Sequence, residues 1–388
     1  MSDTRDIVLD ILMDIEVNNT FSNIALNKAL SKNQFSEKKE RAFITRLSEG
    51  VTETRLTLDY IINQFSKVKT NKQKPKIRCI VRMGVYQLLF MNSVPDSAAC
   101  NEAVKLAKKH GFAGLSGFVN GLLRNVAKNK DNIKYPDKEK DYFSYLSVKY
   151  SVPEALIRKL EKDYPADFEQ ILEGCFIERE TSIRVHTPVI SVEELEKRIS
   201  GEKIKVTRGY YSDKALLISG YDFIKKVPGY KQGKFTVQDE SSICAVDEAF
   251  KQIKEMPDDF ILLDLCSAPG GKTTAALEYM AGRGEAYSFD ISEDKLSLIE
   301  DNIERLGYDN AVIGQHDATR HIEKEEFGFD FDNNTDLVIA DVPCSGLGII
   351  RRKPDIKLGR MDINALPALQ SAILKTGAKY VKPGGVIV

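Results

Sequence analysis

Residues 261–274 read ILLDLCSAPGGKTT, and this stretch decides the fold of the carboxyl-terminal part of the chain. A short apolar run predicts a buried strand, and the glycines after it predict a tight turn into a helix. Such a turn lets the backbone approach a ligand, and the amide groups that start the helix favour a carboxylate or a phosphate. The spacing matches neither GxGxxG nor GxxxxGK[ST], so the two common nucleotide fingerprints do not apply.

More strands and helices alternate on the carboxyl-terminal side of this turn. Strands are predicted over residues 286–290, 311–313 and 337–340, and a helix that starts at Ser292 and stops at Gly307 separates the first two. This alternation predicts a doubly wound parallel sheet, in which ligands bind at the carboxyl ends of the strands.

Acidic residues follow three of these strands. Asp290 ends one strand at the spacing typical of a carboxylate that binds a ribose diol. Asp317 follows the next strand, where it is placed to accept the exocyclic amine of adenine. The series predicts a nucleoside ligand without a triphosphate. The last strand leads into DVPCSG, residues 341–346, which sets the carboxylate of Asp341 three residues before the thiol of Cys344.

The amino-terminal 130 residues show the apolar periodicity of a helical bundle. Between Gln64 and Gly84 this region contains seven basic residues and no acidic one. They predict a surface that binds nucleic-acid phosphates, and the alternative is a solvated lysine-rich loop ahead of a helix. The basic residues are Lys67, Lys69, Lys72, Lys74, Lys76, Arg78 and Arg82.

The pattern as a whole predicts a multidomain protein. A helical domain covers residues 1–130, a charged linker follows, and a small α+β module covers residues 142–235, where Ser151 and Pro153 open a helix. The α/β domain covers residues 236–388.

Composition excludes several other classes of protein. The chain has 388 residues, 42% of them hydrophobic, and a net charge of −1, which is typical of a globular protein. Without a signal sequence or an 18-residue apolar run, we expect a cytoplasmic protein with no membrane partner. Scattered cysteines and histidines argue against a metal site. We expect four cysteines to be buried: Cys79, Cys100, Cys175 and Cys244.

Two family resemblances follow from these motifs. Residues 81–91, 101–104 and 118–124 resemble the NusB-like RNA-binding bundle, which favours the phosphate interpretation of the basic run. Residues 264–274 and 341–348, with the RRKPD segment at 351–355 and the QDESS segment at 238–242, resemble the RsmB/NOP family of RNA cytosine-5 methyltransferases. Together they cover nearly the whole chain.

The resemblance implies a Rossmann-like class I methyltransferase domain, the cofactor S-adenosylmethionine, and 16S ribosomal RNA as the partner of a monomeric enzyme. Asp341, Cys344 and Lys272 would be catalytic, and Arg351 and Arg352 would join the basic run in holding RNA. The implied cofactor-binding residues are Cys266, Ser267, Ala268, Pro269, Gly270, Gly271, Lys272, Asp290, Asp317 and Asp341.

The reaction requires a thiolate that adds to carbon 6 of cytosine, so that carbon 5 can take the methyl group. The family's attacking cysteine lies in a motif directly after the segment that here ends at Val388, so we expect this sequence to lack it and the methyltransferase domain to be incomplete at its carboxyl end. Cys344 would then assist product release. Two alternatives are a transfer RNA cytosine-5 methyltransferase and a non-catalytic NusB-like RNA-binding protein.

Overall fold

The computed structural model describes residues 4–32, 37–176, 180–201, 204–350, 353–358 and 364–388. The chain forms two compact units. The first combines Met1–Ile177 with Gly346–Met361, and the second combines Glu178–Ser345 with Asp362–Val388. Among the described residues, no helix is both long enough and apolar enough to cross a membrane.

The first unit is helical, as predicted. Its helix α5 is buried on most of its circumference and packs against α1, α3, α4, α6 and α7. Gly84 of α5 permits this packing, because a Cβ atom there would lie 2.6 Å from Leu123 of α7. The helices are α1 (Thr4–Val17), α2 (Ser22–Lys32), α3 (Lys38–Glu53), α4 (Arg55–Phe65), α5 (Pro75–Phe90), α6 (Asp96–Lys109), α7 (Ser116–Lys128), α8 (Tyr142–Tyr150), α9 (Glu154–Asp163) and α10 (Phe168–Gly174).

Helices α8 to α10 belong to this helical unit, which differs from the predicted module boundary at residue 142. Two hydrogen bonds tie α8 to the bundle: Thr57 Oγ1 donates to Val148 O at 2.6 Å, and Leu56 N donates to Ser151 Oγ at 2.9 Å. Ser151 has a left-handed backbone and ends α8, so it does not start the next helix as predicted.

The first unit also holds a short helical turn, Pro354–Leu358, from the carboxyl-terminal half of the sequence. The buried carboxylate of Asp355 accepts a 2.5 Å hydrogen bond from Ser22 Oγ. Lys357 Nζ donates to Glu53 O at 2.6 Å, and burial lowers the pKa of this lysine to about 8. This turn is therefore anchored in the bundle by polar contacts as well as by packing.

The second unit begins with the predicted α+β module. Its antiparallel sheet has the strand order β2-β3-β1-β4, and the helix α11 covers one face through Leu195 and Ile199. The elements are β1 (Thr181–Val185), α11 (Val192–Ser200), β2 (Lys205–Arg208), β3 (Ala215–Ser219) and β4 (Phe235–Val237).

The rest of the second unit is a parallel sheet with the order β7-β6-β5-β8-β9. The order reverses beside β5, so the switch point lies where the glycine-rich turn was predicted. This confirms the doubly wound α/β fold. The elements are α12 (Glu240–Gln252), β5 (Ile261–Asp264), α13 (Gly271–Met280), β6 (Glu285–Asp290), α14 (Glu293–Leu306), β7 (Ala311–Gln315), α15 (Lys324–Phe327), β8 (Thr335–Ile339), α16 (Leu366–Tyr380) and β9 (Val381–Ile387).

Candidate active site

The glycine-rich loop connects β5 to α13 at the switch point of the parallel sheet. Ser267 N donates to Phe289 O of β6 at 2.8 Å, and Asn302 Nδ2 donates to Pro269 O at 2.8 Å, so neighbouring elements hold the loop in place. Gly270 has φ +90° and directly precedes α13. A side chain there would be strained and would press against Ile299, which explains the glycine.

Asp290 lies beside this loop, as the sequence predicts. Its Oδ2 accepts a hydrogen bond from Ala268 N at 3.2 Å, and its Oδ1 accepts one from Ser292 N at 3.0 Å. Lys295 Nζ is 3.7 Å from Oδ1. The carboxylate therefore has a fixed position at the end of β6, next to the turn that would contact a ligand.

Asp317 lies at the end of the adjacent strand and lines an open cleft of about 280 Å³. Its Oδ1 accepts hydrogen bonds from Thr319 N at 3.0 Å and Thr319 Oγ1 at 2.7 Å, and these bonds lower the pKa of Asp317. The carboxylate is thus engaged in a local turn as well as lining the cleft. The cleft is lined by Ile291, Gln315, His316, Asp317, Arg320, His321 and Glu326.

Lys272 and Asp341 form an ion pair, although 69 residues separate them in sequence. Lys272 Nζ donates to Asp341 Oδ2 at 2.5 Å and to Ser242 Oγ at 3.3 Å. The lysine side chain is 17% exposed and the aspartate 57%, so the carboxylate stays accessible. Sequence reasoning did not assign a role to Ser242, although the QDESS segment that contains it had been noted.

The two cysteines of the site differ in their surroundings. Burial raises the pKa of Cys266 to about 12, so this thiol stays protonated at neutral pH. Cys344 is exposed in the loop after Asp341, where Gln370 Nε2 donates to the neighbouring Pro343 O at 2.8 Å. Cys344 is therefore the more accessible of these two thiols.

Elsewhere, Cys79 and Cys100 are buried as predicted, whereas Cys175 and Cys244 are only partly buried. The prediction that all four pack as buried hydrophobic residues is therefore wrong for Cys175 and Cys244. Each of these two thiols lies close to a main-chain carbonyl oxygen, at 3.3 Å from Ile171 O and 3.6 Å from Tyr211 O.

Two buried polar atoms beneath the loop have no hydrogen-bond partner within the described part of the chain: Ser267 Oγ and Asp264 Oδ1. The other oxygen of Asp264 accepts from Thr273 Oγ1 at 2.7 Å, and burial raises the pKa of Asp264 to about 7. A buried polar atom without a partner is destabilising. Ser267 Oγ, which lies in the loop itself, fits a site that is completed by a polar ligand.

The basic run of the helical unit divides into two groups. Lys67, Lys69, Lys72 and Lys74 are exposed, and Lys76 is half-buried. Exposure is compatible with phosphate binding by the first four, and their role in binding RNA stays a prediction.

Arg78 and Arg82 point away from solvent, because Glu16 binds both of them. Arg82 also forms a paired contact with Asp59, with Nε to Oδ1 and Nη2 to Oδ2 both at 2.7 Å. Only 3% of Arg82 is exposed. We therefore withdraw Arg78 and Arg82 from the predicted RNA surface. Arg351 and Arg352 lie outside the described residues.

Comparison with known protein families assigns three parts of the chain. Residues 2–128 match the NusB family, and residues 152–222 match the ferredoxin-like domain of RsmF/B-like methyltransferases. Residues 251–388 match the 16S rRNA methyltransferase RsmB/F family.

Curated relatives match over most of their length. The probable ribosomal RNA small subunit methyltransferase B of Bacillus subtilis is 32% identical, over 99% of this chain and 83% of the relative. Ribosomal RNA small subunit methyltransferase B of an Enterobacter species is 33% identical, over 90% of this chain and 78% of the relative. The crystal structure of PH0851 shares the fold, with a TM-score of 0.81 and 23% identity over 100% of this chain and 85% of that one.

Proposed function

The chain belongs to the family of ribosomal RNA small subunit methyltransferase B, and on this basis we propose that it transfers a methyl group from S-adenosylmethionine to carbon 5 of a cytosine in 16S ribosomal RNA. The observation that carries the proposal is the contact between Lys272 and the accessible carboxylate of Asp341, three residues before an exposed thiol. A cytosine placed there would lie close to the carboxyl group of Asp341, the thiol of Cys344 and the glycine-rich loop.

The donor would be held by residues 266–271 together with Asp290. The unpartnered Ser267 Oγ and the left-handed backbone of Gly270 support this assignment, because both belong to a loop that lets a ligand approach the backbone closely. Asp317 and its cleft would take the adenine end. When bound, S-adenosylmethionine supplies a methyl group on a sulfonium sulfur.

The protein's part in the chemistry is to make carbon 5 of cytosine nucleophilic. A thiolate adds to carbon 6, and the electrons of the double bond between carbons 5 and 6 move towards the ring nitrogen that Asp341 binds. Carbon 5 would then take the methyl group, and the bond between that methyl group and the sulfonium sulfur would break to leave a neutral thioether. A base removes the remaining proton from carbon 5, and the sulfur–carbon 6 bond breaks to restore the thiolate.

Lys272 would hold Asp341 in position throughout this sequence. Ser242 accepts a hydrogen bond from the same ammonium group, so the lysine is held by two partners. The family resemblance assigns Cys344 to the release step, and the addition step to the family's second cysteine. The thiol of Cys266, which is partly buried and stays protonated, suits neither step.

The target cytosine must leave its stack with neighbouring bases to reach Asp341 and the thiol. The substrate would therefore be an RNA loop or a nucleotide extruded from a helix. The exposed lysines at positions 67, 69, 72 and 74 would bind phosphates of the same RNA.

Two measurements test the proposal. Calorimetric titration with S-adenosylmethionine should show binding that Gly270→Val abolishes, and no binding by the parent protein would favour a non-catalytic RNA-binding role. Methylation measurements require a protein that includes the family's second-cysteine motif. With that protein, methyl transfer to a 16S ribosomal RNA transcript, mapped by bisulfite sequencing, should modify one cytosine.

Cys344→Ala separates the two roles of that thiol. Loss of turnover with a trapped protein–RNA adduct supports the release role, whereas loss of both turnover and adduct makes Cys344 the attacking group. Efficient methylation of transfer RNA in place of the ribosomal transcript would overturn the substrate assignment.

A further inference from the structure

Two tyrosines stand out on the surface of the α+β module. Tyr210 and Tyr211 are 79% and 83% exposed, and they lie in the loop between β2 and β3. Their ring centroids are 6.5 Å apart, with the rings inclined at 61°. Single exposed apolar side chains are ordinary on a protein surface, but two adjacent and almost fully exposed aromatic rings form a contact surface.

The loop that presents them has a fixed backbone. Tyr211 N and Ser212 N both donate to Glu240 Oε2, at 2.6 Å and 3.1 Å. Gly209 N donates to Ala215 O at 2.9 Å, and Cys244 Sγ lies 3.6 Å from Tyr211 O. The glycine is required, because a Cβ atom at residue 209 would lie 2.6 Å from Glu240 Oε2. The rings are thus displayed on a rigid support, which lowers the entropy lost when they bind a partner.

The support is also linked to the candidate active site. Glu240 starts α12, and two residues later Ser242 Oγ accepts a hydrogen bond from Lys272. Lys272 in turn binds Asp341. The first turn of α12 therefore connects the tyrosine loop to the proposed base-binding carboxylate within one unit.

The charges around the loop argue against a phosphate-binding role for this surface. Arg208 pairs with Glu193 and Glu196, and Lys214 Nζ lies 3.3 Å from Asp247 Oδ1. The basic side chains beside the rings are already neutralised by carboxylates. A partner of this surface must be held by the rings themselves.

From these observations, and resting on the proposed function, we infer that Tyr210 and Tyr211 stack against unpaired bases of the RNA that flank the target cytosine. An extruded target leaves its neighbours unstacked, and aromatic side chains bind such bases by stacking. The tyrosines would then be positioning residues, which hold bases next to the one that Asp341 receives.

The test compares Tyr210→Ala/Tyr211→Ala with the parent protein, using an in vitro transcript of 16S ribosomal RNA as the probe. Binding should weaken roughly tenfold or more, as expected for the loss of stacked bases. Because no phosphate contact is lost, the salt dependence of binding should not change. Tyr210→Phe/Tyr211→Phe should bind within about twofold of the parent, since the rings remain.

Two controls complete the comparison. Tyr164→Ala removes an exposed tyrosine of the helical unit and should leave RNA binding unchanged. Calorimetric titration with S-adenosylmethionine should give the same affinity for the parent and both double variants, which shows that the fold of the catalytic unit is intact.

The outcomes separate this inference from the proposed function. If the parent binds and methylates the transcript and the double alanine variant does so equally well, the stacking role is wrong and the function stands. A reduced salt dependence in that variant would also overturn stacking, in favour of a phosphate contact. If the parent binds neither RNA nor donor, both proposals fail.

Discussion

Two ion-pair clusters, one around Arg82 and one formed by Lys272 and Asp341, differ in how far their side chains are exposed. In the helical unit, Arg82 is enclosed with Glu16 and Asp59, and its side chain is 4% exposed. In the second unit, Lys272 holds Asp341, whose side chain is 57% exposed. A buried cluster fixes the packing of helices, whereas a half-open pair at the end of a strand leaves a carboxylate available to a substrate. Burial of the acidic partner, more than charge, distinguishes the structural pair from the pair that we propose takes part in catalysis.

The largest effect that this comparison predicts is on stability. Arg82→Met should destabilise the helical unit by about 3–5 kcal/mol, because it leaves the partly buried carboxylate of Asp59 without its paired guanidinium and removes one of the three arginines that bind Glu16. Urea unfolding followed by helical circular dichroism measures the change. Lys72→Met, in the same basic run but exposed, should shift stability by no more than about 0.5 kcal/mol. Unchanged unfolding of Arg82→Met combined with weaker RNA binding would show that Arg82 contacts RNA after all.

The second prediction concerns methyl transfer activity and the pair formed by Lys272 and Asp341. Asp341→Asn should reduce methyl transfer at least about a hundredfold, the range expected for loss of an acid–base group. Its unfolding should change little, because the side chain is mostly exposed. Lys272→Met should have a smaller effect, and the double variant should be no worse than Asp341→Asn, since the lysine acts through the aspartate. Additive losses would mean that Lys272 contacts the substrate independently.

The sequence predicted the arrangement of the second unit's candidate site better than it predicted the buried cluster of the helical unit. The motifs of the second unit are local patterns: a strand, a glycine-rich turn and an acidic residue at the end of a strand. Parallel topology brings the ends of neighbouring strands together. The sequence therefore predicted that Asp290 lies beside the loop at residues 266–271, as the structure shows. The partners of Arg82 lie 66 and 23 residues away, so the density of basic residues from Lys67 to Arg82 gave no sign that Arg82 was buried.

Two other features escaped prediction because they depend on tertiary contacts. Helices α8 to α10 were assigned to the middle module, since nothing in their own residues shows that Thr57 and Leu56 bind them to the bundle. The tyrosine loop was also missed, although its signal was present: a glycine and two tyrosines between short strands form an unusual turn, because aromatic residues there gain no burial.

A third prediction uses the pH dependence of the buried cluster. Burial raises the pKa of Glu16, but the charges of Arg82, Arg55 and Arg78 together lower it by more. The folded-state pKa of Glu16 therefore lies below the usual 4.5. The ionised glutamate therefore contributes stability above that value, and the contribution is lost as the pH falls through the folded-state pKa. Between about pH 5 and about pH 3, the parent should lose more unfolding free energy than Glu16→Gln. Parallel stability curves would show that the guanidinium groups do not stabilise this carboxylate.

The smallest effects are expected from the exposed lysines, where each contact is weak and solvated. Lys72→Gln and Lys74→Gln should each weaken binding to a 16S ribosomal RNA transcript a few-fold and reduce the salt slope by about one, because one released counterion is lost with each phosphate contact. Neither should alter unfolding, since both side chains are exposed. Lys162→Gln, exposed on α9, is the matched control and should change neither quantity. If all three variants behave alike, the basic run is a solvated surface, and the RNA must be held by the stacking loop and the catalytic unit.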